Sequence, residues 1–256
     1  MRILIKLGGS LLDAEESRDR LAREIAEACV PGRHIVVVHG GGKQMTRFLA
    51  ERGVESRFLN GLRVTTPDVM DAVVKVFRGS VNSTLVTAFR AAGARPVGLS
   101  GLDAGLVDAE VLDPELGLVG RPVHSDTRLL EVLTAAGYLP VVACVAGDAH
   151  GAIYNVNADQ MAVACAASFK AEKLLFLTDV DGVRNASGAV EPRLTIAQAR
   201  ALIEQGVATG GMQAKLEAAT AALRQGVGQV SIAPGAAVGI VQQLLESEAR
   251  GTTLVT

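Results

Sequence analysis

Short apolar runs alternate with longer amphipathic stretches along almost the whole chain. Apolar runs of strand length include Arg2–Leu7, His34–His39 and Lys173–Thr178, and stretches with helical periodicity include Glu15–Val30 and Asp126–Gly137. The first pattern predicts buried strands and the second predicts helices. Because such alternation is typical of parallel βαβ units, the sequence predicts an α/β fold.

Some segments depart from this alternation. The segments Leu106–Leu112, Leu118–His124 and Gly147–Val156 have the pattern of hairpins, and Asp126 stands where a helix cap is expected. No composition shift marks a linker. The weakest place for a boundary lies near Phe169, after which a second glycine-rich set begins.

Lys6 interrupts the first apolar run, ILIKLGGSLL. A strand covered on both faces is expected to be apolar throughout, and a buried ammonium group needs an anionic partner or loses its proton. The glycines that follow, Gly8 and Gly9, suggest that this anion is a phosphate, since glycine lets backbone N–H groups approach an anion closely.

Glycines recur where the predicted strands end and where one helix begins. The positions are Gly8–Gly9, Gly40–Gly42, Gly182 and Gly210–Gly211, and the last pair precedes Lys215. Each pair by itself is compatible with a tight turn and nothing more. Several pairs at strand ends, two of them with nearby lysines, favour phosphate binding.

Composition excludes several classes of protein. The 256 residues carry a formal net charge of −2, contain no tryptophan and are 3% aromatic, which argues against nucleic-acid binding. No signal peptide or membrane span is expected. The cysteines Cys29, Cys144 and Cys165 form no CxxC pair, so we expect core packing in a reduced, cytoplasmic protein. The P-loop and GxGxxG patterns are both missing, and the four histidines lack metal-ligand spacing.

A set of short motifs resembles the amino-acid kinase family and, within it, the acetylglutamate kinases. In chain order they are KLGGS, VVVHGGG, FLNGLRVT, VNSTLV, VGLSG, GYLPVV, YNVNADQMA, LTDVDGV, GGMQAKLEAA and GTTLV. The resemblance implies an αβα sandwich with a mainly parallel central sheet and two lobes. Residues 1–169 would bind the acyl amino acid and form a homodimer, and residues 170–256 would bind ATP. The implied reaction is phosphorylation of the γ-carboxylate of N-acetyl-L-glutamate, the second step of arginine biosynthesis.

The implied chemistry needs fixed positive charge rather than a base. A carboxylate is already ionised at neutral pH, so it can attack without deprotonation, but it must approach a polyanion. By resemblance, Lys6 and Lys215 stabilise the transition state and Asp159 holds both lysines in place. The residues alone also allow Lys215 on a solvated helix face and Asp159 as a helix cap.

Substrate contacts follow from the same resemblance. Gly41 and Gly42 match backbone donors, Arg63 matches the group that binds the α-carboxylate, and Asn155 matches a contact to the N-acetylated end. The residues alone also allow purely structural roles, with Arg63 in a surface ion pair and Asn155 in a turn. The residues expected to contact ATP or its phosphates are Gly8, Gly9, Thr178, Asp179, Asp181, Gly182, Thr209, Gly210, Gly211 and Met212. We expect Mg²⁺ to be held by phosphate oxygens and water, without protein side chains.

Two other functions remain open from the sequence. One is a carrier-protein-linked aminoadipate or glutamate kinase of the same family, and the other is a non-catalytic amino-acid sensor.

Lys43 follows HGGG where the family usually has proline, and it either adds charge near the substrate or faces solvent. Arginine-inhibited, hexameric members of the family carry an extra helix before the first strand, and the sequence here opens on that strand, so the resemblance implies a homodimer without a PII-type partner.

Overall fold

The apolar runs form strands and the amphipathic stretches form helices in the computed structural model, which describes residues 1–246 and 250–256. The strands are β1 (Arg2–Leu7), β2 (His34–His39), β3 (Phe58–Leu59), β4 (Leu62–Arg63), β5 (Pro96–Ser100), β6 (Val107–Val111), β7 (Val119–Ser125), β8 (Leu139–Ala143), β9 (Val145–Gly147), β10 (Ile153–Val156), β11 (Lys173–Thr178), β12 (Arg193–Thr195), β13 (Gln229–Pro234) and β14 (Thr252–Val255). The helices are α1 (Glu15–Ala28), α2 (Gly42–Ala50), α3 (Pro67–Val73), α4 (Asn82–Ala91), α5 (Arg128–Ala135), α6 (Ala158–Ser168), α7 (Ile196–Glu204), α8 (Gly210–Arg224) and α9 (Ile240–Glu246).

One sheet organises the molecule. Eight strands pair in the order β12-β14-β13-β11-β1-β2-β8-β5. Every pairing between neighbours in this order is parallel except β13 with β14, which is antiparallel. The predicted α/β class with a mainly parallel sheet is therefore confirmed.

Both faces of the sheet are covered by helices. Ile3, Leu4 and Ile5 are each 0% exposed, and successive residues of a strand point to opposite faces, so neither face of β1 meets water. Helices α4 and α9 pack against α1 in one group, whereas α6 and α7 pack against α8 in another. This double cover explains why the strands are apolar throughout.

A small closed barrel of β6, β7, β9 and β10 stands apart from the main sheet. β6 pairs with β7 and β9 pairs with β10, both antiparallel. The hairpin predicted over Gly147–Val156 is confirmed, whereas Leu106–Leu112 and Leu118–His124 each correspond to one strand, and these two strands pair with each other. The barrel places Asn155 on β10. The predicted division into lobes at residues 169 and 170 stays a prediction, although strands from before and after that point occupy opposite halves of the sheet.

A long helical stretch begins at Pro67. The Thr66 side chain accepts a hydrogen bond from the Val69 amide, and Pro67 occupies the first turn. Between α3 and α4 the helix continues as a π-helical segment over Val74–Val81. This segment packs beside α2 and β5.

Asp126 makes the capping contact of α5, because its Oδ1 accepts from the Arg128 amide at 3.1 Å; it does so from one residue before Thr127, which holds the N-cap position without a side-chain hydrogen bond. One local prediction was wrong. Cys29 is exposed at the end of α1 rather than packed in the core, because that helix ends at the molecular surface; Cys144 and Cys165 are buried.

Among the described residues, no helix is long and apolar enough to cross a membrane.

Candidate active site

The parallel sheet brings the glycine-bearing strand ends to one edge. Leu7 of β1 is in register with His39 of β2 and with Leu177 of β11. Gly8 follows β1 and Gly40 follows the neighbouring strand β2, so these two glycines lie side by side. Ligands of open parallel sheets bind at this carboxyl edge, so the fold places the predicted phosphate and substrate segments together.

Two ammonium groups meet one carboxylate at this edge. Lys6 Nζ lies 2.6 Å from Asp159 Oδ1, and Lys215 Nζ lies 3.5 Å from Asp159 Oδ2. Lys6 is 7% exposed and Asp159 is 8% exposed. We call Lys6, Asp159 and Lys215 the charged triad. The structure thus brings together the three residues predicted to be catalytic.

Burial and charge act in opposite directions on Asp159. Burial by itself raises the pKa of a carboxyl group, because it disfavours the charged form. The charges and hydrogen bonds of Lys6 and Lys215 outweigh this effect, so the pKa of Asp159 is lowered from its ordinary value. Asp159 is therefore an ionised carboxylate between the two lysines at neutral pH.

The N-terminal cap of α6 leaves the Asp159 side chain free to contact the two lysines. Asn157 caps α6, since its Oδ1 accepts from the amides of Asp159 at 2.9 Å and Gln160 at 3.3 Å. Asp159 is thus not the cap that its sequence also allowed, and its side chain turns to Lys6. Lys215 lies on the second turn of α8 with its side chain 19% exposed, which excludes a solvated helix face.

A cavity of about 230 Å³ opens beside Lys6. Its lining includes all four predicted substrate contacts, Gly41, Gly42, Arg63 and Asn155, together with Lys6 and Gly9. Gly41 has no room for a side chain, because a Cβ there would lie 2.9 Å from Phe77 Cδ1 and 3.1 Å from Val81 Cγ2. The cavity wall therefore needs bare backbone at this position.

Arg63 is held in place by neutral groups. Its Nη2 donates to Thr46 Oγ1 at 2.8 Å and to Gly42 O at 3.3 Å, and its Nη1 donates to Ser56 Oγ. The guanidinium lies 4.7 Å from the ring centre of Phe58. Among the described residues no carboxylate pairs with Arg63, which is 9% exposed. The surface ion pair is therefore excluded, and a buried cation remains for an anionic ligand.

Asn155 belongs to a strand rather than to a turn. It lies on β10, and its Nδ2 donates to Thr65 Oγ1 at 3.0 Å. The Thr65 hydroxyl in turn donates to Arg63 O at 2.9 Å. Asn155 and Arg63, which both line the cavity, are thus joined through the buried Thr65.

The predicted nucleotide residues form a more open region. Thr178 ends β11 and donates from Oγ1 to Asp179 Oδ1 at 3.1 Å. Burial raises the pKa of Asp179, but hydrogen bonds from its own amide, Thr178 and Ser10, together with the charge of Lys215, lower it overall. Asp181 is exposed and pairs with Arg184 at 3.1 Å.

Glycines in this region have distinct structural reasons. Gly182 is buried with φ +148°, and a Cβ there would lie 2.7 Å from Val190 Cγ1. Gly210 has φ +53° and opens α8 together with Gly211, after Thr209 at the N-cap. The remaining predicted residue, Met212, follows on the first turn of α8.

Gly8 does not offer the phosphate donor that the sequence predicted. Its amide donates to Leu177 O at 2.9 Å, and a Cβ on Gly8 would lie 3.1 Å from that oxygen. The amide is therefore occupied by the contact between β1 and β11. Gly8 serves close strand packing, whereas Gly9 lines the cavity.

Sequence reasoning missed several residues that shape the site. Asn157, the cap of α6, could have been found as an asparagine two residues before Asp159. Phe58 lies under Arg63 across the short β3–β4 hairpin, and the Asn60-Gly61 pair between them was a local signal for that turn. Asn82 reaches His39, 43 positions away in the chain, behind the Gly40–Gly42 loop, and no local pattern predicts this contact.

Histidine, cysteine and carboxylate side chains do not gather into a metal site among the residues that the structure describes. Lys43 is exposed, which agrees with a solvent-facing residue at the start of α2.

The fold and the site define a kinase that transfers a phosphoryl group to a small acid, and the chain belongs to the amino acid kinase family, whose pattern matches residues 1–234. It is 62% identical to the acetylglutamate kinase of Solibacter usitatus (strain Ellin6076) over 256 residues, which is 100% of each chain. It is 41% identical to the acetylglutamate kinase of Acidobacterium capsulatum over 257 residues, covering 100% of this chain and 99% of that protein.

Among solved structures, the chain resembles N-acetylglutamate synthase from Neisseria gonorrhoeae complexed with coenzyme A and N-acetyl-glutamate. The TM-score is 0.88 at 27% identity, and the match covers 100% of this chain and 59% of that one.

Proposed function

We propose that this protein is an acetylglutamate kinase, which transfers the γ-phosphoryl group of ATP to the γ-carboxylate of N-acetyl-L-glutamate. The products are N-acetyl-L-glutamyl 5-phosphate and ADP. The observation that carries this proposal is the charged triad beside a cavity lined by Arg63, a buried arginine with no carboxylate partner in the part of the chain that the structure describes. The relatives at 62% and 41% identity support the same activity and do not favour the aminoadipate alternative.

Arg63 is the proposed anchor for the α-carboxylate of the substrate. Its guanidinium is buried, fixed by Thr46 and Gly42, and among the described residues it has no carboxylate partner. A planar guanidinium binds a carboxylate through two parallel hydrogen bonds, which fixes orientation as well as position. Asn155 then stands near the acetyl group, and the γ-carboxylate extends toward Lys6.

Lys6 and Lys215 are the proposed electrostatic catalysts. Charge spreads over the oxygens of the phosphoryl group as it transfers, and fixed cations in a water-poor site stabilise that charge without reorganising. Asp159 keeps both ammonium groups charged and separated before substrate binds. No general base is required, since the attacking carboxylate is already ionised.

ATP is proposed to lie across Gly9, Thr178–Gly182 and the first turn of α8, with Mg²⁺ as the accompanying ion. Among the described residues the amides of Gly210 and Gly211 donate to no backbone acceptor, and they lie at the positive end of the α8 dipole, which suits phosphate. Bound Mg²⁺ would neutralise part of the phosphate charge, and phosphate oxygens and water supply ligands of the kind it prefers. Asp179, near Lys215, would help hold that lysine toward the phosphates.

Three further features belong to this proposal. The protein would act as a homodimer in the cytoplasm, without a PII-type partner, and would supply the second step of arginine biosynthesis. Light scattering of the purified chain tests the dimer directly. A mass near that of one 26.5 kDa chain would contradict the dimer and leave the kinase activity untouched.

The activity is tested by trapping the acyl phosphate with hydroxylamine. With ATP and Mg²⁺, N-acetyl-L-glutamate is expected to give the hydroxamate, whereas L-glutamate and N-acetyl-L-aminoadipate give much less. Lys215→Ala provides the inactive control. Faster turnover of the aminoadipate compound, or no turnover of any acid, would contradict the proposed substrate.

A further inference from the structure

His39 ends β2 directly behind the glycine loop of the cavity, and it is 0% exposed. Its Nδ1 lies 2.9 Å from the carbonyl oxygen of Gly40. A carbonyl oxygen only accepts hydrogen bonds, so the Nδ1 atom must carry the proton. The ring therefore holds the Gly40 carbonyl from the side away from the cavity.

Asn82 fixes the other side of the same ring. Its Nδ2 donates to Val141 O at 2.8 Å and lies 2.9 Å from His39 Nε2. Because Val141 O only accepts, the amide orientation of Asn82 is determined, and its second N–H faces Nε2. Nε2 must then be the unprotonated acceptor. Burial outweighs the bond to Gly40 and lowers the pKa of His39 to about 4, in agreement with a neutral ring.

The π-helical segment delivers Asn82 to this position. The Asn82 amide donates to Phe77 O, five residues earlier, so the wider turn stacks these two residues on the face toward the loop. Phe77 and Val81 pack against Gly41, and Asn82 fills space that a side chain on Gly98 would occupy. Phe77, Val81 and Asn82 thus lie on one face of the helical stretch and pack behind the Gly40–Gly42 loop.

The hydrogen bond to Gly40 O has a consequence on the cavity side. Gly40 C=O and Gly41 N–H belong to one planar trans peptide, so their bonds point in opposite directions. Holding the carbonyl toward His39 turns the Gly41 N–H away from it. Gly41 lines the cavity, and among the described residues its amide donates to no protein acceptor.

We propose that His39, held in one tautomer by Asn82, is a positioning residue that aims the Gly41 N–H at the carboxylic-acid substrate. This inference rests on the proposed function, because it assigns the role of one donor in the proposed N-acetyl-L-glutamate site. His39 acts through the backbone and does not itself touch the substrate.

Two substitutions separate the roles of the ring nitrogens. His39→Asn keeps a donor near the position of Nδ1, whereas His39→Gln keeps a polar group near Nε2 and loses the donor to Gly40. We expect His39→Gln to raise KM for N-acetyl-L-glutamate about tenfold, the effect of losing one hydrogen bond, with KM for ATP changed less than twofold. His39→Asn is expected to stay within about threefold of the wild type for both substrates.

Equal KM values for the acid in the two variants, or an equal change in KM for ATP, would overturn the proposal. NMR of ¹⁵N-histidine-labelled wild-type protein provides a readout that needs neither variant to fold. At pH 7 it is expected to show His39 with Nδ1 protonated and Nε2 bare, and the opposite tautomer or an imidazolium would overturn the proposal. Wild-type protein without kinase activity but with this tautomer would refute the proposed substrate while leaving the hydrogen-bond relay intact.

Discussion

The cavity for the acid and the region for the nucleotide lie at the same edge of the sheet but are built differently. In the cavity, Lys6 and Arg63 are 7% and 9% exposed and are held by neighbouring side chains. In the nucleotide region, Asp181, Gly210 and Gly211 are exposed and much of the predicted contact surface is backbone. The side chains of the acid cavity are thus held in place by the fold, whereas much of the nucleotide region is exposed to solvent.

This difference has an energetic consequence. A buried cation must keep its partners or lose its charge, so the residues that position Lys6 and Arg63 are also required for a stable fold. An exposed loop can change without leaving an unpaired buried charge. Substitutions in the cavity should therefore affect turnover, binding of the acid and stability, and those in the nucleotide region should affect ATP alone.

The largest effect is expected for Lys6→Ala. Loss of this fixed cation should lower kcat about 10³-fold, as for removal of one oxyanion donor, with smaller changes in either KM. Steady-state hydroxamate kinetics measure the effect, and Lys43→Ala, which removes an exposed lysine at the same edge, is the matched control. A kcat within tenfold of the wild type would refute the role of Lys6 in charge stabilisation.

Asp159→Asn should reduce both activity and stability. The two ammonium groups lose their shared counter-charge, so we expect kcat to fall about 100-fold. The free energy of unfolding should fall by about 3 kcal/mol, within the range for breaking a buried ion pair. Activity assays and urea denaturation at pH 7 measure the two effects.

The stability difference between wild type and Asp159→Asn should depend on pH. The folded-state pKa of Asp159 lies below its ordinary value of 3.8, so the carboxylate stabilises the fold above that value. The contribution is lost as the pH falls through the lowered pKa. A difference that stays constant from pH 7 to below pH 3 would show that the charge of Asp159 does not stabilise the fold.

Arg63→Lys should act on one substrate only. Lysine keeps the charge but loses the planar fork and the stacking on Phe58, so KM for N-acetyl-L-glutamate should rise about 30-fold. KM for ATP should stay within twofold. An equal rise in both KM values would mean that Arg63 stabilises the whole site rather than the acid.

Gly210→Ala is expected to have the smallest effect, confined to ATP. Gly210 has φ +53°, and a side chain there costs about 1 kcal/mol, so KM for ATP should rise about fivefold. Gly211→Ala is the matched control, because Gly211 lacks positive φ and has open space around its Cβ position. The same rise in both variants would exclude the backbone conformation as the cause.

The sequence predicted the strands well because a short run of consecutive apolar residues is enough to indicate a buried strand. Ile3–Leu7 is apolar except at Lys6, and Leu174–Leu177 is apolar at every position, as expected for strands of a parallel sheet that is covered on both faces. Lys6 could be singled out because a charge in such a run is unusual. Lys215 and Asp159 were found through the family resemblance, since the residues alone also fitted a solvated face and a cap.

Errors arose where a residue's partner lies far away in the chain. The amide of Gly8 is occupied by Leu177, which no local glycine pattern reveals. Cys29 lies in an apolar stretch but ends its helix at the surface.

By itself, the sequence determined the α/β class, the strand ends that carry glycine and the presence of a buried lysine that needs an anion. These properties depend on short-range patterns of polarity. Only the tertiary structure decided that Asp159 binds Lys6 and Lys215 together, that Arg63 lacks a carboxylate partner among the described residues, and that His39 and Asn82 hold the glycine loop. Each of these is a contact between distant segments, and its distance and burial are set by how the sheet and helices pack.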